Sequence, residues 1–165
     1  MTGEAKQEGR TRPSVRMSRD EAWAYVRDAH TGILTTLRSD GVPIALPLWF
    51  AALDGCVYFR TRGKKLRRIE RDPRASFLVE AGERWVELSA VHHTGRAEIV
   101  ELDAELSERF RRETERKYGA FRVQPRGEGD VPGRQDAYLR EHGAIVRFIP
   151  DERVLSWDNA RLGLA

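Results

Sequence analysis

Residues 32–62 read GILTTLRSDGVPIALPLWFAALDGCVYFRTR, and this run decides the fold. Ile33 to Arg38 reads as a strand, and Ser39-Asp40-Gly41 as a hairpin turn whose glycine is free to take positive φ. Val42 to Leu53 reads as a long apolar strand interrupted by Pro43 and Pro47. Proline gives no N–H to a ladder, so part of this strand is an edge, is bulged, or faces a ligand. Asp54-Gly55 is a second hairpin turn, and Cys56 to Thr61 a third strand.

Upstream, Ser18-Arg19-Asp20-Glu21 fits a capping box. The helix it opens buries Ala22, Trp23, Val26 and Ala29 and stops near Gly32. Residues 1–16 lack periodicity and read as a flexible tail, leaving 17–165 as one domain. Downstream, Gly63 to Asp72 is a helix with Leu66 and Ile69 buried, ended by Pro73. Arg74 to Glu80 and Arg84 to Val100 read as strands around Ala81-Gly82-Glu83. Asp103 to Tyr118 is the longest helix, stopping at Gly119. A Gly/Pro-rich loop over 120–133, a short helix over 134–141, and closing strands over 144–149 and 153–157 complete the chain. Hairpin-linked strands with inserted helices give a mainly β fold, an antiparallel sheet closed into a small barrel.

The chain has 165 residues, 40% apolar and 33% charged, as in a soluble globular domain. No apolar run approaches the roughly 18 residues of a membrane span. Met1 to Arg16 has no apolar signal-peptide core, and Cys56 is the single cysteine, so a reducing, cytoplasmic setting is expected. Net charge is +3, yet residues 60–74 hold eight basic residues against two acidic ones. That excess sits where an apolar strand delivers Arg60 and Arg62 to one face and Gly63 opens a helix. A helix N-terminus offers unpaired N–H groups and a positive dipole end, which suit a phosphate. Arg60, Arg62, Lys64 and Lys65 add charge-assisted donors, and Thr61 a hydroxyl. The competing reading is a solvated basic helix. Nucleic-acid binding is disfavoured, because the patch is short and few aromatics interleave with it.

No side-chain catalytic set is visible. His92 and His93 are adjacent on a strand and face opposite sides, so they do not share a metal, and no metal site is expected. His30 and His142 precede glycines near helix ends, where a cap role is expected. Cys56 reads as a buried, inert thiol. Neither a Walker loop nor a Gly-x-Gly-x-x-Gly fingerprint is present. If the chain is an enzyme, a cofactor carries the hard chemistry.

Several segments together, in order and spacing, resemble the pyridoxamine 5′-phosphate oxidase-like split β-barrel flavoproteins, over about residues 18–160. They are Gly-Ile-Leu-Thr-Thr-Leu-Arg-x-Asp-Gly at 32–41, Pro-Leu-Trp-Phe at 47–50 and Val-Tyr-Phe-Arg-Thr-Arg at 57–62. Lys65 follows, then Arg-Asp-Pro-Arg-Ala-Ser at 71–76, Trp-Val-Glu-Leu at 85–88 and Gly-Arg-Ala-Glu at 95–98. The nearest resemblance is to the deazaflavin branch, which uses coenzyme F-420. The resemblance implies a homodimer with two cofactor sites at its interface. It implies that Arg60 to Arg62 and Lys65 hold the cofactor phosphate, and that Pro47, Leu48 and Trp49 lie near the ring system. Trp85 and Trp157 would reach the site from the partner chain. The terminal stretch Trp157 to Leu162 has only a loose likeness to the oxidase signature, which argues against vitamin-B6 oxidase activity. Arg67, Arg68 and Arg71 would meet the anionic tail of a deazaflavin. The expectation is therefore hydride transfer between F-420 and a small organic substrate. FMN is the alternative cofactor, and a carrier of flavin, deazaflavin or haem the alternative role.

Overall fold

The computed structural model describes residues 14–121 and 143–163. Helix α1 (Arg19–Asp28) precedes strands β1 (Gly32–Leu37), β2 (Pro43–Leu48), β3 (Ala51–Leu53) and β4 (Cys56–Arg62). Helix α2 (Lys64–Arg71), strands β5 (Arg74–Ala81) and β6 (Ser89–Val100), helix α3 (Ala104–Tyr118) and strand β7 (Gly143–Asp158) follow. The strands form one antiparallel sheet in the order β2-β1-β5-β6-β7-β4-β3.

The two edge strands of that sheet, β2 and β3, are joined by Trp49 and Phe50 alone. Laid flat, seven strands would span roughly 29 Å, while the link from Leu48 to Ala51 reaches at most about 11 Å. The sheet therefore rolls until its edges approach. No ladder joins β2 to β3, so the roll stays split. Phe50, Phe59, Phe77 and Phe148 fill its interior, fully buried, with Phe50 edge-on to Phe77 at 4.9 Å. Gly32 is required where β1 passes this cluster, since a Cβ there would fall 2.2 Å from the Phe77 ring.

Helix α1 begins as its sequence dictates. Ser18 N–H donates to the Glu21 carboxylate at 2.7 Å, and Glu21 N–H donates to the Ser18 hydroxyl at 3.3 Å. Its Ala22 and Val26 enter the core. Helix α2 touches β1, β4 and β6, bridging the rolled sheet. Val15 C=O accepts from Asp158 N–H at 2.8 Å, so the segment before α1 runs beside the end of β7.

Three expectations are corrected. The apolar run 42–53 is two strands on opposite edges, because the chain turns at Trp49 and Phe50. Residues 143–158 form one strand across Pro150, which sits opposite Gly95 beside a register shift, the kind of irregularity where a strand tolerates proline. Residues 85–87 form a 3-10 turn, and β6 starts only at Ser89. The loop over 120–133, beyond Phe121, and the short helix over 134–141 lie outside the described residues, as do His142 and residues 1–13. Among the described residues, no helix is long and apolar enough to cross a membrane, and no cluster of three His, Cys, Asp or Glu could hold a metal.

Candidate functional site

Strand β4 aligns Val57 with Phe148 and Phe59 with Val146, all four buried inside the roll. Alternation then turns Arg60 and Arg62 to the outer face, where both are exposed, and puts half-buried Thr61 on the inner side. Gly63 follows with φ 65° and ψ −132°, a conformation an L residue rarely adopts, and serves as an N-cap without a side chain. The first helical bond of α2 is donated by Arg67 N–H to Gly63 C=O at 3.3 Å. The N–H groups of Lys64, Lys65 and Leu66 precede it and have no side-chain cap.

Lys65 is half-buried at this helix start. Desolvation, and then the Arg68 charge, lower its pKa, so its ammonium lacks a compensating anion. Among the described residues, Arg60, Lys64, Lys65 and Arg67 have no ion-pair partner. Uncapped N–H groups, a desolvated amine and unpaired guanidinium and ammonium groups together fit a phosphate monoester. The expected outer arginines divide. Arg68 Nε donates to the Thr36 hydroxyl at 2.9 Å, and Arg71 donates to the Leu37 carbonyl at 2.6 Å. Both strap α2 to β1, which leaves Arg67 as the outward one of the three.

Pro47, Leu48 and Trp49 lie at the end of β2 and in the crossover. Ala51 pairs with Tyr58, so the chain leaves β4 at Phe50 and Trp49, the positions that would face Phe59 and Arg60 in that register. Pro47 is exposed, and half-buried Leu48 pairs with Gly32. Trp49 stacks on Tyr118 with ring centroids 4.4 Å apart and planes 4° from parallel. His30 packs edge-on against Trp49, Tyr118 and Phe121, so it is part of an aromatic cluster rather than a cap; Ala29 caps α1. Sequence reading missed this cluster. Its one local signal was the pair Lys117-Tyr118 at the end of α3, both buried.

Trp85 and Trp157 form a separate group. Trp85 is 58% exposed and its carbonyl accepts from the Asn159 amide at 2.7 Å. Trp157 pairs with Ala90 and is exposed. Arg60 pairs with Ile145, twelve residues back along β7, or roughly 40 Å of extended strand. Within one chain these tryptophans are set near the far end of β7 from the strand position that pairs with Arg60. They sit beside an outward-facing cross-strand row, Pro47–Ile33–Leu78–His92–Leu155, which crosses five strands. His93 points the other way, buried and edge-on to Trp23, as alternation requires. Cys56 is part-exposed rather than buried, and partial desolvation raises its thiol pKa.

A family model described as pyridoxamine 5′-phosphate oxidase matches residues 18–138. The chain belongs to the pyridoxamine 5′-phosphate oxidase family. A conserved hypothetical protein of Mycobacterium tuberculosis has a similar structure, with 30% identity and TM-score 0.72, over 95% of this chain and 94% of that one. Two more distant structures share the fold of this oxidase family. HutZ, the haem storage protein of Vibrio cholerae, is 15% identical over 84% of this chain and 94% of its own, with TM-score 0.63. An FAD-binding protein of Mesorhizobium loti is 18% identical over 85% and 91%, with TM-score 0.59. No match was found among curated proteins.

Proposed function

We propose that the protein binds the phosphate of a flavin-type cofactor at the β4–α2 turn and acts as an oxidoreductase on a small organic substrate. The observation that carries this reading is the uncapped start of α2, where Lys65 is desolvated with no counter-ion. Arg60, Arg62, Lys64 and Lys65 would hold the phosphate with the N–H groups of the first helical turn. Thr61 belongs to the same segment, and its inward face gives it a supporting place. Pro47, Leu48 and Trp49 would border the ring, with Trp49 held flat by Tyr118. The chemistry supplied when such a cofactor is bound is hydride transfer. The favoured cofactor is the deazaflavin F-420, on the resemblance of the sequence to that branch, with FMN as the alternative.

The functional unit in this reading is a homodimer. The exposed Leu155 and Trp157, beside an outer row that is apolar except at His92, support it, since large exposed apolar side chains on one face mark an interaction surface. A second copy on that face would also carry Trp85 and Trp157 toward the site from the partner chain.

A carrier of flavin or haem is the second reading, prompted by the HutZ likeness in fold. Isothermal titration with F-420 and with FMN tests the binding; saturation by neither at tens of micromolar overturns it. Reduction of a quinone or redox dye by loaded, reduced protein separates enzyme from carrier.

A further inference from the structure

Strand β2 is an edge of the sheet, and among the described residues no strand pairs with its far side. Which backbone groups it leaves there follows from the register. Arg38 N–H donates to Val42 C=O at 2.9 Å where the hairpin closes, so Arg38 and Val42 form a hydrogen-bonded pair. Hydrogen-bonded and open pairs alternate along an antiparallel ladder. Ile44, Leu46 and Leu48 therefore bond to Thr36, Leu34 and Gly32, while Pro43, Ala45 and Pro47 turn their backbone polar groups to the free edge. All three are exposed.

That edge carries three carbonyls but a single N–H, that of Ala45, because the other two residues are proline. Prolines protect a free edge from strand addition. At the Pro47 end they have a second consequence. A ring bordering that end meets carbonyl oxygens and no donor before Ala45, roughly 7 Å along the strand. The flavin and 5-deazaflavin rings differ at one atom of the central ring, a nitrogen in the first and a C–H in the second. The nitrogen lone pair needs a donor and is left unpaired against a carbonyl edge, whereas a C–H makes a weak favourable contact with a carbonyl oxygen.

We propose, on the cofactor reading above, that Pro47 is a specificity-determining residue: by withholding the edge N–H beside the ring, it makes the site select a 5-deazaflavin over a flavin.

FMN and 5-deaza-FMN carry the same phosphate and ribityl chain, so their comparison reads the ring alone. Each is titrated calorimetrically into the full-length wild type, Pro47→Ala and Pro43→Ala, with melting profiles checked. The wild type is expected to bind 5-deaza-FMN about tenfold more tightly than FMN, the size of one unmade hydrogen bond. Pro47→Ala restores the N–H and should cut that preference to about twofold or less, by tightening FMN. Pro43→Ala adds an N–H about 13 Å further along the edge and should leave the preference unchanged. Saturable binding of FMN as tight as that of 5-deaza-FMN in the wild type overturns the proposal, leaves the cofactor reading standing and reduces the prolines to edge protection. A full deazaflavin preference in folded Pro47→Ala, or the same shift in both variants, overturns it too. Saturation by neither compound overturns the cofactor reading and the proposal together.

Discussion

The phenolic oxygen of Tyr118 stands 2.8 Å from both the backbone nitrogen and the backbone oxygen of Phe50. Phe50 is where the chain passes from one edge of the rolled sheet to the other, so neither group has a ladder partner. The hydroxyl accepts from the N–H and donates its one proton to that carbonyl or to the His30 carbonyl at 3.0 Å. Tyr118 thus does for the crossover what a neighbouring strand does elsewhere.

Removing only that oxygen isolates its contribution. Tyr118→Phe keeps the stack on Trp49 but leaves the buried Phe50 N–H unpaired, at a cost of about 1–3 kcal/mol. The expected result is a lower urea midpoint with an unchanged slope. A variant as stable as the wild type would mean that packing alone holds the crossover.

The neighbouring Lys117 sets a pH dependence. Its ammonium is buried with no hydrogen-bond partner among the described residues, 3.8 Å from the centre of the Phe50 ring, and desolvation holds its pKa down at about 8. The drop from 10.5 to about 8 corresponds to about 3 kcal/mol against the charged form. The penalty is fully present below pH 8, where both folded and unfolded chains are protonated. It is relieved as pH rises from about 8 to 10.5, where the unfolded chain binds more protons than the native one. Lys117→Met should therefore be more stable than the wild type by up to about 3 kcal/mol at pH 7, with the gap closing across that window. Paired urea titrations at pH 7 and 10 check it. A gap that widens with pH would mean that the amine is stabilising where it sits.

Much of this was legible in sequence because the cues were local. The Ser18/Glu21 box, the Asp54-Gly55 turn and the stop at Pro73 each act within four residues. The basic turn was legible for the same reason, as charge beside a strand–helix junction. The split in the roll was not, because Trp49 and Phe50 interrupt no periodicity in an apolar run. Pro150 suggested a break that Gly95, on the facing strand, absorbs. Arg68 and Arg71 read as solvated or ligand-facing until their partners were placed, and Thr36 and Leu37 lie more than thirty residues away. The cluster of His30, Trp49 and Tyr118 is assembled from three distant segments, and no spacing rule reaches across them.

The outer face should decide the assembly. Leu155 is 48% exposed and ends the row that begins at Pro47. If a second copy covers it, Leu155→Glu would place a charge in that interface without touching the core, at a cost of several kcal/mol. Light scattering after size exclusion should show a dimer for the wild type and a monomer for the variant, with melting measured at matched concentration. A wild type that is monomeric at tens of micromolar would remove the homodimer from the proposed function.

Position, rather than total charge, is what the phosphate reading requires of the basic segment. Lys65 is half-buried at the uncapped start of α2, whereas Arg74 is exposed and already paired with Asp72 at 2.7 Å. One charge-assisted phosphate contact is worth about 1.5–3 kcal/mol, so Lys65→Ala should weaken cofactor binding roughly tenfold to a hundredfold. Arg74→Ala removes the same formal charge and should change the affinity less than about twofold. Gly63→Ala keeps every charge but strains a backbone at φ 65° and ψ −132°, by about 1–3 kcal/mol, and turns the first N–H groups away. It should weaken binding as Lys65→Ala does, with a smaller dependence on salt. Titration of the three variants at low and high ionic strength reads all of this at once. Equal losses from Lys65→Ala and Arg74→Ala, with Gly63→Ala unaffected, would reduce the turn to diffuse electrostatics and leave the cofactor to be sought elsewhere.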